Sequence, residues 1–329
     1  MSAAQAFPPQ TEIRHFLDLR DLDAATLRDI VDVGLSVKRM QDGRRRPLHP
    51  ELPLAGRALG LMLSKPSTRT RLSFEVGMRQ LGGDVSVLSP ADMQLGRGES
   101  LADTARVLSR FLDVLVLRTG KTANLHELAR WSSIPVINGL TPHSHPVQIL
   151  ADIMTFEEHR GPVAGSRWAW VGDGNNVATS LIEGAVRFGF ELNLATPPSM
   201  SPNPDVLAWA KAEGGKIRVL HDAREAARGA DCVVTDTWTS MSDEESAARL
   251  ETLRPYQVDR ALMAEAAPKA LFMHCLPAHI GEEVTQDVFE SPASVVFDEA
   301  ENRLHAQKGL LLWALGGPDW RKAGQLATR

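Results

Sequence analysis

The stretch "ALGLMLSKPSTRTRLSFEVG", residues 58–77, runs from an apolar segment through a turn into an amphipathic helix. Its apolar part predicts a buried strand at 58–64, and the pattern after the turn predicts a helix at 68–81. A strand, a short turn and a helix form the repeating unit of α/β proteins with parallel sheets. The stretch therefore predicts an α/β fold, with a turn unusually rich in hydroxyl groups and arginines.

Strand and helix patterns alternate on both sides of this stretch, which predicts two doubly wound domains with parallel sheets. The segment "RGPVAG", residues 160–165, interrupts the alternation and puts the boundary near residue 150, between domains at 1–150 and 151–329. A helix at about 299–315 is expected to bridge the domains by packing back on the first. The predicted helices lie at 21–40, 68–81, 101–111, 123–131, 146–159, 177–188 and about 299–315, and the predicted strands at 58–64, 84–88, 113–117, 134–138, 167–171, 192–196, 217–220, 232–235 and 270–274.

The composition excludes several classes of protein. A net charge of −5 over 329 residues argues against a broad basic surface for nucleic acid or for an anionic membrane. The only cysteines are Cys232 and Cys275, so neither a disulfide framework nor a structural zinc site with four ligands is expected. No apolar run has the length of a membrane span, and the first residues lack the apolar core of a secretory signal. A cytoplasmic location is therefore expected.

The turn at the start of the 68–81 helix has the features of an anion site. Ser67 is a favourable N-cap residue, and the first helical turn exposes free backbone N–H groups at the positive end of the helix dipole. The hydroxyls of Ser67, Thr68 and Thr70 add further donors, so phosphate is the natural partner. The alternative is an ordinary capped and solvated helix start.

The two arginines of the turn are predicted to have different roles. Arg69 and Arg71 point to nearly opposite sides of a helix, so one phosphate cannot easily use both. Arg69 is assigned to the ligand, whereas Arg71 lies four residues before Glu75 and is expected to form an ion pair with it. Ordinary helix starts favour acidic residues, and two cations in the first turn argue against the simple capping alternative.

Two further strand ends in the first half carry candidate polar groups. Arg118 directly follows an apolar strand, at the edge of a parallel sheet where ligands bind, although a lone arginine there can equally be a surface residue. In "TPHSHPVQIL", Pro146 suits the first position of a helix, and the helix dipole favours a neutral His145 that could donate to a carbonyl oxygen. Gln148 could hold an amide. The alternative is that His143 and His145 are ordinary loop histidines.

The second half contains a strand, a glycine turn and a helix in "WVGDGNNVATSL". The turn resembles a dinucleotide loop, but the third glycine of that motif is replaced by Val177. The side chains of Asn175 and Asn176 suit a polar, amino-acid-like ligand better than a pyrophosphate. A dinucleotide-binding oxidoreductase is therefore the disfavoured alternative, and a cofactor titration would decide it.

Two later strand ends complete the set of candidates. Asp236 follows a strand and could pair with an ammonium group, with a helix cap as the alternative. Cys275 ends another strand and could be a nucleophile or a small buried apolar group. A metal site formed by His274, Cys275 and His279 is rejected, because adjacent strand residues face opposite sides.

The order and spacing of these motifs resemble those of the ornithine carbamoyltransferases. The matching segments are "STRTR" at 67–71, "HPVQ" at 145–148, "GDGNN" at 172–176, "DTWTSM" at 236–241, "HCLP" at 274–277 and "FDEAENRLHAQK" at 297–308. The first two are shared with the aspartate carbamoyltransferases, whereas "HCLP" and the segment with Ser-Met are typical of the ornithine enzymes. The resemblance covers essentially the whole chain.

The resemblance implies that the first domain binds carbamoyl phosphate and the second binds ornithine, without a metal or other cofactor. It also implies a homotrimer with sites between subunits. The implied catalytic residues are Arg69, Arg118, His145, Asp236 and Cys275; the implied carbamoyl phosphate ligands are Ser67, Thr68, Arg69, Thr70, Gln94, Arg118, His145, Gln148, Cys275, Leu276 and Arg303; and the implied ornithine ligands are Asn176, Asp236, Ser240 and Met241.

One departure from the pattern concerns the acceptor. The family usually has glycine after Ser-Met, where this chain has Ser242, and serine does not tolerate the backbone angles open to glycine. A carbamoyltransferase for aspartate, putrescine or an acylated ornithine is therefore the nearest alternative, although Asp236 favours a cationic acceptor. An inactive relative with a regulatory or assembly role is a further alternative.

Overall fold

The computed structural model describes residues 13–40, 48–64, 67–89, 98–239 and 247–325. Two parallel sheets organise this part of the chain, in the strand orders β2-β1-β3-β4 and β7-β6-β5-β8-β9. The predicted α/β fold is confirmed. The strands are β1 Ala58–Leu63, β2 Asp84–Leu88, β3 Val114–Arg118, β4 Val136–Leu140, β5 Arg167–Val171, β6 Glu191–Ala195, β7 Ile217–Leu220, β8 Cys232–Thr235 and β9 Leu271–His274, and the helices are α1 Ala24–Arg39, α2 Thr68–Gln80, α3 Leu101–Leu108, α4 Thr122–Trp131, α5 Pro146–Arg160, α6 Asn176–Phe188, α7 Pro204–Ala212, α8 Ala223–Ala227, α9 Ala247–Leu253, α10 Arg260–Met263, α11 Gln286–Phe289 and α12 Val296–Leu315.

The strand order creates one switch point in each sheet. In the first sheet the chain turns outward from β1 to β2 and then returns to place β3 on the other side of β1. In the second sheet β6 and β7 lie on one side of β5, whereas β8 and β9 lie on the other. Ligands of open α/β sheets bind at such points, outside the carboxyl ends of the strands. The turn before α2, the residue Arg118, the glycine turn after β5 and the residue Asp236 all lie at these two places.

Helix α12 joins the two halves, as predicted. It packs against α1, α2 and α5, and it also contacts β9 of the second sheet. Gly309 makes the close approach to α1 feasible, because a Cβ at this position would lie only 2.2 Å from the carbonyl oxygen of Ile30. The predicted boundary at residue 150 falls inside the continuous helix α5, and it stays a prediction.

The elements differ from the predicted ranges mainly at their ends. Helix α1 begins at Ala24 because Asp23 is its N-cap and accepts a hydrogen bond from the backbone N–H of Thr26. Strand β4 begins at Val136, two residues later than predicted, and the preceding residue is a proline that has no N–H to give to a ladder. Both cysteines are free thiols. Among the described residues, no helix is long and apolar enough to cross a bilayer.

A buried carboxyl group joins α6 to the segment before α1. Glu183 is fully buried, and its Oε2 atom accepts hydrogen bonds from the backbone N–H groups of Leu19 at 3.1 Å and Arg20 at 3.4 Å. Burial and the nearby Asp18 together raise the pKa of Glu183 to about 8, against the opposing effect of Arg20. The native protein therefore binds this proton more tightly than the unfolded chain does.

Glu183→Gln is expected to remove a pH-dependent loss of stability. Because the native pKa of Glu183 is raised, its contribution is complete below the unfolded pKa near 4.5 and is lost as the pH rises through about 8. The free energy of unfolding of the wild type should fall relative to that of Glu183→Gln between pH 5 and 8, by at most about 1.4 kcal/mol per pH unit. Urea unfolding of both proteins at several pH values measures the difference, and parallel curves would contradict the expectation.

Candidate active site

The start of α2 presents the predicted group of donors at the carboxyl end of β1. Helix α2 begins at Thr68 with Ser67 as its N-cap, and the Ser67 side chain makes no capping hydrogen bond. Thr70 is buried, whereas Thr68 is exposed and Arg69 is half-buried. The first turn contains no acidic residue. No carboxylate of the first turn therefore competes with an anionic ligand for the free N–H groups of this helix start.

The predicted difference between the two arginines of the turn is confirmed for Arg71. Its Nε atom lies 3.3 Å from Oε2 of Glu75, four residues along the same helix, and the Arg71 side chain is about half exposed. Arg69 instead acts electrostatically on Arg118, His145 and Arg303. Only Arg69 therefore belongs to the group of polar side chains at the end of the sheet.

Arg118 and Arg303 bring two more cations to the same place. Nη1 of Arg118 donates to Oγ1 of Thr70 at 3.2 Å, which ties the end of β3 to the start of α2. Arg303, on α12, is buried, and its Nε and Nη2 atoms have no hydrogen-bond partner among the described residues. Burial, with Arg118 and Arg69, lowers the pKa of Arg303 to about 10, against the opposing effects of Cys275 and Asp152. Three guanidinium groups held this close together favour an anionic ligand.

His145 lies beside these cations in the neutral form. It is buried, and its backbone N–H donates to Oγ of Ser180 on α6 at 2.8 Å. Its Nδ1 atom has no hydrogen-bond partner in the part of the chain that the structure describes. Burial lowers the pKa of His145 well below its ordinary value, and Arg303, Arg118 and Arg69 lower it further. The sequence predicted a neutral imidazole from the helix dipole, whereas burial and three arginines are the causes found in the structure.

Gln148 lies one helical turn beyond His145 and is also buried. Its Oε1 atom accepts a hydrogen bond from Nη1 of Arg303 at 2.6 Å, which links α5 to α12. The first-sheet candidates Ser67, Thr68, Arg69, Thr70, Arg118, His145 and Gln148 are therefore gathered at one end of the sheet, together with Arg303.

The second switch point contributes a carboxylate and a thiol. Sγ of Cys275 donates to Oδ1 of Asp236 at 3.1 Å, and Nδ2 of Asn175 donates to Oδ2 of the same carboxylate at 2.8 Å. Burial raises the pKa of the Cys275 thiol well above its ordinary value, and Asp236 raises it further. The sulfur is therefore a neutral hydrogen-bond donor at physiological pH. Cys275 also interacts electrostatically with Arg118 and Arg303, so the two switch points face one shared site.

The two asparagines of the glycine turn have different partners. Oδ1 of Asn175 caps α6 by accepting from the backbone N–H groups of Val177 and Ala178. Nδ2 of Asn176, the predicted ornithine ligand, donates to the backbone oxygen of Thr141 at 2.8 Å, across the two halves of the chain. The nearby Gly174 is required by close packing, because a Cβ there would lie 2.3 Å from the backbone nitrogen of Pro202.

The "HCLP" segment is held by the side chain of its histidine. Nδ1 of His274 accepts from the backbone N–H of Leu276 at 2.8 Å, and Nε2 lies 3.1 Å from Oε1 of the buried Glu283. The prediction that His274 and Cys275 point apart was wrong, because ligand atoms of Asp236, His274 and Cys275 lie within 4.8 Å of one another. His279 belongs to a different group of residues. Both nitrogens of His274 are already engaged in hydrogen bonds, which disfavours its use as a metal ligand.

Three predicted site residues, Gln94, Ser240 and Met241, lie outside the described residues, as does Ser242. The sequence grouped Asn175 with Asn176 as suited to a polar ligand and missed that Asn175 caps α6 and donates to Asp236, although an N-cap was recognisable from the glycine turn. It also missed Asp152 and Glu299, two buried carboxyl groups behind Gln148, because each looks like an ordinary acidic residue on a helix.

The comparisons with known proteins agree with this geometry. A family model described as the carbamoyl-P binding domain of aspartate/ornithine carbamoyltransferase matches residues 14–158. A second model, described as the Asp/Orn binding domain of the same family, matches residues 164–314. The chain belongs to the aspartate/ornithine carbamoyltransferase family, and the resemblance inferred from the motifs is confirmed.

Individual relatives point to the ornithine branch of this family. The chain is 55% identical over 303 residues to an ornithine carbamoyltransferase of Nitrobacter winogradskyi, which covers 92% of this chain and 97% of that protein. It is 56% identical over 303 residues to one of Rhodopseudomonas palustris, with the same coverage. A solved ornithine carbamoyltransferase from Pyrococcus furiosus superposes with a TM-score of 0.87 at 44% identity, covering 92% of this chain and 97% of that chain.

Proposed function

We propose that this protein transfers the carbamoyl group of carbamoyl phosphate to the δ-amine of L-ornithine, which gives L-citrulline and phosphate in arginine biosynthesis. The observation that carries the proposal is that one site has a group of positively charged arginines on one side and a negatively charged aspartate on the other. Arg69, Arg118 and Arg303 surround the anion site at the first switch point, and Asp236 with Cys275 lies at the second. A phosphorylated donor suits the first group and a cationic amino acid suits the second.

The anionic leaving group is bound by the start of α2. Backbone N–H groups of the first helical turn, the hydroxyls of Ser67, Thr68 and Thr70, and the guanidinium of Arg69 together supply donors and positive charge. Carbamoyl phosphate brings its own leaving group, so the reaction requires no nucleotide. Phosphate leaves into the same set of donors that bound it, which keeps charge compensated throughout the step.

The carbamoyl oxygen gains negative charge when the amine attacks its carbon. Arg118, His145 and Arg303 are the proposed donors to this oxygen, and the hydrogen bonds of Arg118 with Thr70 and of Arg303 with Gln148 support an oriented set of donors. His145 is a neutral donor because burial and the three arginines oppose its protonation. Donors that are already oriented stabilise the transition state without reorganisation, and each typically contributes about 3–4 kcal/mol.

Asp236 and Cys275 prepare the amine. An ammonium group cannot attack, so the δ-amine has to lose a proton at the site, and the carboxylate of Asp236 is the proposed acceptor. The carboxylate of Asp236 attracts and orients the amine, and the protonated thiol of Cys275 is a positioning group rather than a covalent nucleophile. The thiol donates to Asp236 at 3.1 Å and is kept neutral by burial, which is the opposite of what a thiolate nucleophile needs. Leu276 follows on the same segment and lines the reacting centre.

Two parts of the proposal rest on residues outside the described ranges. Ser240 and Met241 are proposed to complete the ornithine site with Asn176, and Gln94 is proposed to reach the site of a neighbouring subunit in a homotrimer. The trimer predicts a molar mass in solution of three chains of 35.9 kDa, which light scattering measures. The protein is proposed to act in the cytoplasm.

A colorimetric citrulline assay with a panel of amines tests the proposed function. With carbamoyl phosphate as donor, we expect product from L-ornithine and at most about 1% of that rate from N-acetylornithine, putrescine or aspartate, because their charges mismatch Asp236 or the rest of the acceptor site. If another amine in the panel were carbamoylated faster, that amine rather than ornithine would be the acceptor. No product from any amine would refute the carbamoyltransferase activity itself.

A further inference from the structure

Two buried carboxyl groups lie directly behind Gln148, on the side away from Arg303. Nε2 of Gln148 donates to Oδ1 of Asp152 and to Oε1 of Glu299, both at 2.8 Å. Asp152 and Glu299 are each 1% exposed, and their carboxyl groups are hydrogen-bonded to each other. Neither carboxyl has a part in the proposed reaction. They form an acid pair that is linked to the site through hydrogen bonds with Gln148.

The acid pair determines which end of the Gln148 amide faces the site. A glutamine amide has two N–H donors on nitrogen and one oxygen acceptor, and its two orientations are otherwise nearly equivalent in shape. Here both N–H donors are engaged by Asp152 and Glu299, so the nitrogen must lie towards the acids. The oxygen then lies towards Arg303, with one further lone pair available for a donor. An NH₂ group of a substrate would find an acceptor there, whereas a methyl group would not.

The pair must hold a proton to act in this way. Burial raises the pKa of Asp152 to about 7 and that of Glu299 well above its ordinary value. Asp152 raises the pKa of Glu299 further, whereas the hydrogen bond with Glu299 lowers that of Asp152, so the shared proton belongs mainly to Glu299. Arg303 opposes these shifts, whereas Asp236 adds to the shift of Asp152. The two acids in turn raise the pKa of the thiols of Cys232 and Cys275. One shared proton therefore lets two carboxyls lie in contact.

The two acids are not equivalent in their hydrogen bonds. Both oxygens of Glu299 accept from N–H donors, because Oε2 accepts from the backbone N–H of His274 at 2.8 Å while Oε1 accepts from Gln148. Among the described residues, the N–H donor to Asp152 is Nε2 of Gln148, and the other contact of this carboxyl is with Glu299. An asparagine at position 152 can therefore accept from Gln148 through its oxygen and donate to Glu299 through its nitrogen. A glutamine at position 299 would direct its NH₂ group at the N–H of either Gln148 or His274.

We propose that Asp152 and Glu299 are positioning residues that fix the Gln148 amide with its oxygen towards the carbamoyl group, so that the site selects an amide NH₂ over a methyl group. The inference rests on the proposed function for the identity of the ligand. The acid pair thereby supports recognition of the carbamoyl end of the donor substrate, whereas the start of α2 binds the phosphate end.

A matched pair of isosteric variants and a matched pair of ligands test this role. Phosphonoacetamide and acetonylphosphonate differ only in an NH₂ group against a methyl group, and the ratio of their dissociation constants in calorimetry measures the selection. We expect the wild type to prefer the amide by about tenfold or more. Asp152→Asn should keep this ratio within about threefold, because the introduced amide can accept from Gln148 and donate to Glu299. Glu299→Gln should bring the ratio close to one.

The dependence of the amide preference on pH is a second measurement. It should not change if the acid pair has only a structural role. The amide preference of the wild type should fall on the alkaline side, where the pair loses its shared proton and the two carboxylates repel each other. Asp152→Asn retains only one carboxyl group and should have a flatter profile. The affinity for inorganic phosphate is the control, and it should stay within about threefold of the wild-type value in both variants.

The outcomes separate this inference from the proposed function. If the wild type forms citrulline and Glu299→Gln keeps the full amide preference, the positioning role is wrong and the proposed function stands. Equal losses in Asp152→Asn and Glu299→Gln would also overturn the inference, because the asymmetry follows from the hydrogen bonds of Glu299. A wild type that forms citrulline, with selection lost only in Glu299→Gln, supports the role. Failure of the wild type to form citrulline counts against the proposed function alone, since the ligand ratios are measured without turnover.

Discussion

Arg69→Ala is expected to lower kcat for carbamoyl transfer by roughly 10²–10³-fold and to leave the fold intact. The guanidinium of Arg69 is half-buried at the start of α2, where it adds charge to the free N–H groups of the first helical turn. Its contribution grows as phosphate separates from the carbamoyl group, because the leaving group then carries more negative charge. Steady-state kinetics with saturating ornithine measure the loss, and thermal unfolding checks the fold.

Arg71→Ala is the matched control, because it removes the same functional group two positions along the same helix. Arg71 pairs with Glu75 at the surface, and exposed pairs of this kind contribute about 0–1 kcal/mol to stability. We expect kcat to stay within about twofold of the wild-type value. Similar losses in both variants would mean that general positive charge near α2, rather than a specific contact by Arg69, supports catalysis.

The parts of the molecule that the sequence predicts well are those set by local patterns. The apolar run and the cap residue at the start of α2 define a strand, a turn and a helix within about twenty residues, and the structure contains them. The ion pair between Arg71 and Glu75 follows from helical spacing alone. These features depend on neighbours in the chain, so their physics is visible in a short stretch.

The features that the sequence does not reveal depend on distant residues. Gln148 contacts Glu299 across 151 positions of the chain, and nothing local distinguishes Glu299 from a solvated acid at the start of a helix. The choice between Asn175 and Asn176 as the neighbour of Asp236 is likewise decided by tertiary structure, because Asp236 comes from another strand. The direction of the pKa shift of His145 was predicted, but its main cause, burial, becomes visible only after the chain has folded.

Asp236→Asn is expected to lower kcat/KM for ornithine by roughly 10²-fold, which corresponds to about 3 kcal/mol for the loss of a buried charged partner. The wild-type carboxylate accepts from both Cys275 and Asn175, and it supplies the only negative charge in this pair of contacts. An asparagine side chain keeps the shape but presents an NH₂ group where one of the two acceptor oxygens is needed. The amine then lacks both its counter-charge and its orientation.

Asn175→Ala separates the charge of Asp236 from the hydrogen bonds around it. It removes the donor to Oδ2 of Asp236 and the cap of α6, so it should destabilise the fold by about 1 kcal/mol while the carboxylate remains. We expect a loss in kcat/KM for ornithine several times smaller than that of Asp236→Asn. In both variants the affinity for phosphonoacetamide should stay within about threefold of the wild-type value, because this ligand does not need the ammonium site. If Asp236→Asn instead weakened phosphonoacetamide as much as ornithine, Asp236 would support the whole site rather than the acceptor, and the assignment of the second switch point to the amine would be wrong.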